Sequence, residues 1–319
     1  LLHHLRQVYA SHLKTSTAQQ HELAQALCVL SAAGVRQMVP FKGAVLAHTL
    51  YPTAACRPMT DLDLWIAADE MVQAQSALEK CGYVQRVKAA RPLTMQAQNY
   101  GEIQLHGTQP EQSLIELHWG VFPGEWLRRT AQVDQAGVWR RCTELTLLGH
   151  TVLSLSPEDQ LLQLAVHQAV SHQMSAPHAR GLVDVVRLAR QHPLDWSAIT
   201  ARARAWQVST AVWLVLNLAS ELTGWHDAES TLWQLAPSAS RQWLLRRFVN
   251  PRAFLAGRMI SNSWLRFAYL LSLVDSPPAM ARLFIRTIWP ETDWLERRYG
   301  RSGLGMHLQH LGHVLSGQV

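Results

Sequence analysis

The sequence predicts an α+β fold: an α/β core on a mixed sheet over residues 35–150, a helical segment before it (1–34), and an all-helical domain after it (151–319). Three observations predict it. Apolar runs separated by turn residues alternate strand, helix, strand, helix between Val35 and Lys80. Two segments, Gly101 to His106 and Ser113 to Trp119, alternate polar and apolar residues around Gly107-Thr108-Gln109-Pro110, the pattern of a hairpin. After Ser156-Pro157-Glu158 the apolar residues recur at helical spacing.

Taken in order, His21 to Ala33 carries a helical apolar stripe that Gly34 stops. Val35 to Phe41 reads as the first strand and Ala44 to Leu50 as a short helix ended by Tyr51-Pro52. A loop over 53–60 leads to a second strand, Asp61 to Ile66. Ala68 to Lys80 is an amphipathic helix stopped by Gly82, and Tyr83 to Val87 a third strand. A short strand fits Thr146 to Leu148. Helices fit 157–173, 179–191, 195–206, 209–223, 238–249, 264–274 and 278–288, with Ser156 as cap and Pro157 in the first turn of the first of them.

Length and composition suit two domains with a sizeable core, with 48% of the 319 residues hydrophobic and 16% charged. The net charge of +6 suits an anionic substrate such as a nucleotide or RNA. Lys and Arg nowhere form the concentrated run of a non-specific nucleic-acid binder. Cys28, Cys56, Cys81 and Cys142 are scattered, as reduced thiols of a cytoplasmic protein would be. Leu1-Leu2-His3-His4 is too short and polar for a signal peptide, and the longest apolar run, Ala211 to Ala219, is far below a membrane span.

The chemistry concentrates between Phe41 and Ile66. Asp61 and Asp63 are two apart on a strand, so their side chains stand on one face while Leu62 and Leu64 enter a core. Paired acids are costly without a cation, and Mg2+ prefers carboxylates together with substrate phosphates. Lys42-Gly43 sits where strand turns into helix, a place suited to phosphate, and Gly43 lacks the Cβ that would keep a phosphate from the backbone.

The ordered set Lys42-Gly43, Tyr51-Pro52, Arg57-Pro58, Asp61-Leu62-Asp63 and Gly82-Tyr83 resembles the uncharacterised nucleotidyltransferase family of the polymerase-beta-like nucleotidyltransferase superfamily. The resemblance extends through Ile115 to Trp119, His167, Arg180 to Asp184, and Trp289 to Gly300. It implies transfer of a nucleoside monophosphate from an NTP, ATP foremost, to an acceptor hydroxyl with release of pyrophosphate. It also implies a divalent cation, Mg2+ or Mn2+, held by Asp61, Asp63 and a third acid. Lys42-Gly43-Ala44 lacks the serine common in the superfamily, which removes a hydroxyl contact to phosphate.

The residues leave Glu116 and Glu102 open as third acid; the resemblance selects Glu116. Lys42 is either a phosphate contact or a solvent-exposed lysine. Arg57, whose guanidinium fork matches phosphate, is the stronger contact unless it pairs with Asp61. His118 reads first as a packed strand histidine and His167 as a core histidine. Arg180 and Asp184 are spaced for an intrahelical ion pair. The resemblance adds His167 as a contribution to the cleft. A shallow acid site leaves water as a competing acceptor, so the helical domain is expected to form a second wall over the acids. His167 and Arg180 then face acceptor or phosphates, with His118 beside the metal as the lesser alternative to packing. Among acceptors a small molecule is preferred to a protein or RNA, because no long basic face is visible. The alternatives are a non-catalytic nucleotide-binding module, or a helical scaffold with a vestigial nucleotidyltransferase head. Oligomeric state is not specified.

Overall fold

The computed structural model describes residues 2–86, 95, 101–109, 112–175, 179–257 and 259–317. It divides into two compact units. The first comprises 1–90, 101–123 and 135–156; the second comprises 91–100, 124–134 and 157–319.

The first unit opens with one long helix, α1 (Leu2–Ala32), closed by Gly34 at φ +86°. Then come β1 (Met38–Pro40), α2 (Gly43–Thr49), a 3-10 turn (Ala54–Cys56), β2 (Asp61–Ile66), α3 (Met71–Lys80) and β3 (Tyr83–Gln85). β4 (Glu102–Gly107) and β5 (Leu114–His118) form the expected antiparallel hairpin. Val87 and Pro110 lie outside the described residues. The five strands form one mixed sheet in the order β1-β2-β5-β4-β3, antiparallel except for the central β2–β5 pair.

Strand alternation gives this sheet two unlike faces. Leu62, Leu64 and Ile66 of β2, Ile103 and Leu105 of β4, and Ile115 and Leu117 of β5 all point one way. Leu23, Leu27 and Leu30 of α1 and Ala74 and Leu78 of α3 join the same buried cluster. The spacing of the α1 leucines, four then three, is that of one helix face. Glu22, also on α1, is buried and accepts hydrogen bonds from the Tyr83 hydroxyl and from the Ser113 backbone N–H at 2.7 and 2.8 Å. The opposite sheet face carries Asp61, Asp63, Glu102, Gln104, Glu116 and His118.

α4 (Glu125–Thr130) belongs to the second unit, and α5 (Gln135–Arg141) returns to the first. The first unit ends in a hairpin of β6 (Thr143–Leu147) and β7 (His150–Ser154). Its turn residues, Leu148 and Gly149, have φ of +51° and +84°, which suits a two-residue hairpin loop. The sequence shows only the β6 end of this hairpin, because few of the strand residues are buried.

The rest of the second unit is helical among its described residues. It runs through α6 (Pro157–Val166), a π-helical turn (His167–Ser171), α7 (Arg180–Gln191), α8 (Trp196–Ala205), α9 (Ser209–Thr223) and α10 (Glu229–Leu235). α11 (Ala239–Phe248), α12 (Pro251–Leu255), α13 (Ser263–Ser272), α14 (Pro277–Ile288), α15 (Thr292–Tyr299) and α16 (Leu304–Leu315) follow. The helix expected over 157–173 therefore widens into a π turn at His167 instead of continuing regularly. No described helix is long and apolar enough to cross a membrane.

Candidate active site

The site is built by strand register. In the parallel β2–β5 pair, Asp63 stands opposite Glu116 and Trp65 opposite His118. Across β5, Gln104 of β4 stands opposite Glu116, and Glu102 opposite His118. Same-face residues in paired positions on neighbouring strands have Cβ atoms close enough to interact.

Asp63 is the centre of the group and only 2% exposed. The Lys42 ammonium donates to its Oδ1 at 2.8 Å, and His118 Nε2 lies 2.9 Å from the same oxygen. His118 Nε2 is also 3.7 Å from Glu116 Oε2, and its Nδ1 is 3.6 Å from Glu102 Oε2. The His118 ring is fully buried and packs edge-on against Phe41, with centroids 4.9 Å apart. Gln104, itself buried, donates its side-chain N–H to Glu116 Oε1. Trp65, next along the site face of β2, stacks on Trp139 of α5.

Burial sets the electrostatics. For Asp63 burial pushes the carboxyl up, but the Lys42 charge and the His118 hydrogen bond outweigh it and hold the group well below the usual carboxylate range. Glu116 goes the other way. Burial first, then the charge of Asp63, push it up to about 7 against the pull of His118 and Lys42. Burial would lower the Lys42 ammonium, yet Asp63, Glu116 and Asp61 together raise it. The group thus contains one carboxyl fixed as an anion and one poised near neutrality.

Lys42 holds this position through an unusual backbone. It sits at φ +49°, ψ −128°, a region that favours glycine, just before α2 begins at Gly43. It is buried against Asp63 rather than solvent-exposed. A Cβ built on Gly43 would fall 2.6 Å from Arg57 Nη1 and 2.7 Å from Met59 Cγ. The space freed by the missing side chain is therefore filled by Arg57 and Met59, and Arg57 is packed beside the first turn of α2.

Asp61 begins β2 on the same face as Asp63 and is half-buried, with the Thr60 hydroxyl donating to its Oδ1 at 3.2 Å. The tight donor group, with atoms all within 4.8 Å of one another, consists of Asp63, Glu116 and His118, without Asp61. His167 and Arg180 belong to the second unit. His167 opens the π turn with its ring edge-on to His172 at 4.4 Å, and Arg180 is the first residue of α7. Asp184, one turn further along α7, is fully buried.

Sequence reasoning missed the joint grip of Lys42 and His118 on Asp63, and it gave Gln104 no role. The signal for Gln104 was present, since hairpin alternation puts it on the Glu116 face.

Two carboxylates and an imidazole within 4.8 Å are a donor set for a divalent cation. Four acids on one face, Asp61, Asp63, Glu102 and Glu116, exceed the charge of Lys42 and Arg57, so a cation fits the electrostatics as well.

The model of the uncharacterised nucleotidyltransferase family matches residues 1–224. This chain belongs to that family. The matched stretch holds the whole first unit and the second-unit helices through α9. Among solved structures, an antigenic nucleotidyltransferase-like protein from Paracoccidioides brasiliensis is 14% identical with a TM-score of 0.39. The match covers 70% of this chain and 96% of that one. A comparison with curated proteins finds no match.

Proposed function

We propose that this chain moves a nucleoside monophosphate from an NTP, ATP foremost, to an acceptor hydroxyl, on a small molecule ahead of a protein or an RNA. The observation that supports it most is the pairing of Asp63 with Glu116 across the parallel strands, one anionic and the other near neutrality. Asp61, Asp63 and Glu116 would hold Mg2+ or Mn2+, beside His118. When bound, the ion supplies charge neutralisation and polarisation at the phosphates. Lys42 and Arg57 offer ammonium and guanidinium donors to phosphate oxygens. Glu116 Oε2 takes the proton of the acceptor hydroxyl as its oxygen bonds to the α-phosphorus. The bond from that phosphorus to the bridging oxygen breaks, and pyrophosphate leaves with the electron pair.

One observation favours a non-catalytic nucleotide-binding module instead: Asp63 is already paired with the Lys42 ammonium and hydrogen-bonded to His118. The test is incubation with α-labelled NTPs, Mg2+ or Mn2+, and separate acceptor pools. Transfer of label, abolished by Asp63→Asn, supports the enzyme. Nucleotide binding that ignores the divalent ion, with no transfer to any pool, supports the module.

A further inference from the structure

The positive charge of the chain is not spread evenly. Residues 230–290 contain eight arginines, no lysine and a single acid, Asp275, a net charge of +7. The remainder carries 21 basic against 22 acidic residues. One stretch outside the family match therefore holds the whole excess of charge. Its lone acid is not free to neutralise the arginines, because its carboxylate accepts the Ser209 and Thr210 backbone N–H groups at 2.6 and 3.0 Å.

Packing turns several of these arginines outward, although Arg241 donates to the Val274 carbonyl, Arg246 lies 3.9 Å from Glu221 and Arg266 donates to Gln173. Leu245 and Phe248 are the inward side of α11, and Phe248 meets Tyr269 of α13 edge-on at 5.8 Å. Arg246 and Arg247 of α11, Arg252 of α12 and Arg266 of α13 are exposed. The same helices also expose two tryptophans: Trp243 of α11 is 60% exposed and Trp264 of α13 is 41%. The Arg247 guanidinium already lies over the Trp243 ring, 4.7 Å from its centroid. Arg258 lies outside the described residues.

We propose that this outward face of α11 to α13 binds a single-stranded polynucleotide. Arginine forks match phosphate oxygens, and exposed tryptophans stack unpaired bases without sequence preference. A membrane-surface helix separates its apolar and charged faces. Here Trp243 lies directly under Arg247, which suits a strand that offers phosphate and base together. The binding face stands independently of the transfer reaction. That the bound strand is also the acceptor rests on the function proposed above.

The test uses the full chain, a fluorescein-labelled 20-nucleotide RNA of mixed sequence, and anisotropy across a salt series. Arg246→Gln/Arg247→Gln/Arg252→Gln should weaken binding at least tenfold. The slope of log affinity against log salt should flatten by about 2, since each phosphate contact on a single strand contributes about 0.7. Trp243→Ala should weaken it roughly tenfold while leaving that slope unchanged. Arg6→Gln/Lys14→Gln/Arg36→Gln removes the same charge elsewhere and should leave affinity within twofold. Circular dichroism melting confirms that each variant is folded; should the triple arginine variant fail to fold, Trp243→Ala carries the test. The proposal is overturned if the native chain does not bind the strand at about 0.1 M salt. Equal loss in both triple variants overturns it, as does equally tight binding of a blunt duplex. Binding to phosphatidylserine vesicles in place of the RNA also overturns it.

Discussion

The Lys42 ammonium donates to Asp63 Oδ1 at 2.8 Å, with both side chains almost wholly buried. A buried charge that loses its partner is strongly destabilised, by about 3–5 kcal/mol. Lys42→Met should therefore lower unfolding stability by about that amount, while Lys42→Met/Asp63→Asn should cost clearly less. Urea denaturation of the four proteins gives the cycle. In Lys42→Met, added Mn2+ should raise Tm more than in the native chain, because the vacated charge now favours a cation. A native chain and a Lys42→Met variant with equal Mn2+ responses would argue that the ion binds away from Asp63.

Glu116 controls a pH window. Its carboxyl titrates near 7 when folded and near 4.5 when unfolded. Between those values the folded state binds more protons, so stability from this group falls as pH rises from about 4.5 to 7 and is flat above. Asp63 acts oppositely. Its depressed carboxyl contributes stability present above its unfolded value of 3.8 and lost as pH falls below that. Glu116→Gln should remove the decline between pH 4.5 and 7, read as Tm across buffers. An unchanged slope in the variant would place the titration on another group.

Turnover should separate the two glutamates. Glu116→Gln removes the proton acceptor and should lower the transfer rate about a hundredfold or more with little change in NTP affinity. Glu102→Gln alters a group that lies 3.6 Å from His118 Nδ1, on the side of the ring away from Asp63, and should stay within a few-fold of native. A reversed ranking in single-turnover transfer would make Glu102 the base.

Gly43→Ala tests how Arg57 is held. The new Cβ would displace the Arg57 guanidinium and the Met59 side chain, both able to move, so the stability cost should be about 1–3 kcal/mol. NTP affinity should fall as far as in Arg57→Ala. Calorimetry in which Gly43→Ala binds NTP normally would dissociate Arg57 from the nucleotide.

The parts of this molecule legible in the sequence are those with local causes. Asp61 and Asp63 alternate with Leu62 and Leu64, which fixes both the strand and its polar face. Gly101 to Trp119 shows its hairpin for the same reason. The pairing of β2 with β5 has no local cause, so the Asp63–Glu116 register was invisible until the sheet was assembled. Lys42 turns inward through a left-handed backbone that a lysine does not announce. The helices Glu229–Leu235, Pro251–Leu255 and Thr292–Tyr299 run eight residues or fewer, too short to repeat a stripe, whereas Leu304–Leu315 was overlooked although it buries Met306, His307, His310 and Val314 at helical spacing. The arginine-rich stretch was readable but hidden from a search for consecutive basic residues. Its signal is the missing acids between Ser230 and Val274.

The parallel β2–β5 pair also dictates an order of events as the chain is made. His118 meets Asp63 across 55 residues, and β5 must leave the ribosome before either finds the other. At about 5–20 residues per second, α1 and β2 wait several seconds beside a sheet that lacks its central partner. Until then Asp63 lacks both its His118 hydrogen bond and its Glu116 neighbour, so a nascent or prematurely terminated chain presents only part of this side-chain group. The Asp63–Glu116–His118 group therefore assembles in one step once β5 (Leu114–His118) has emerged, with most of the 319-residue chain still to be made.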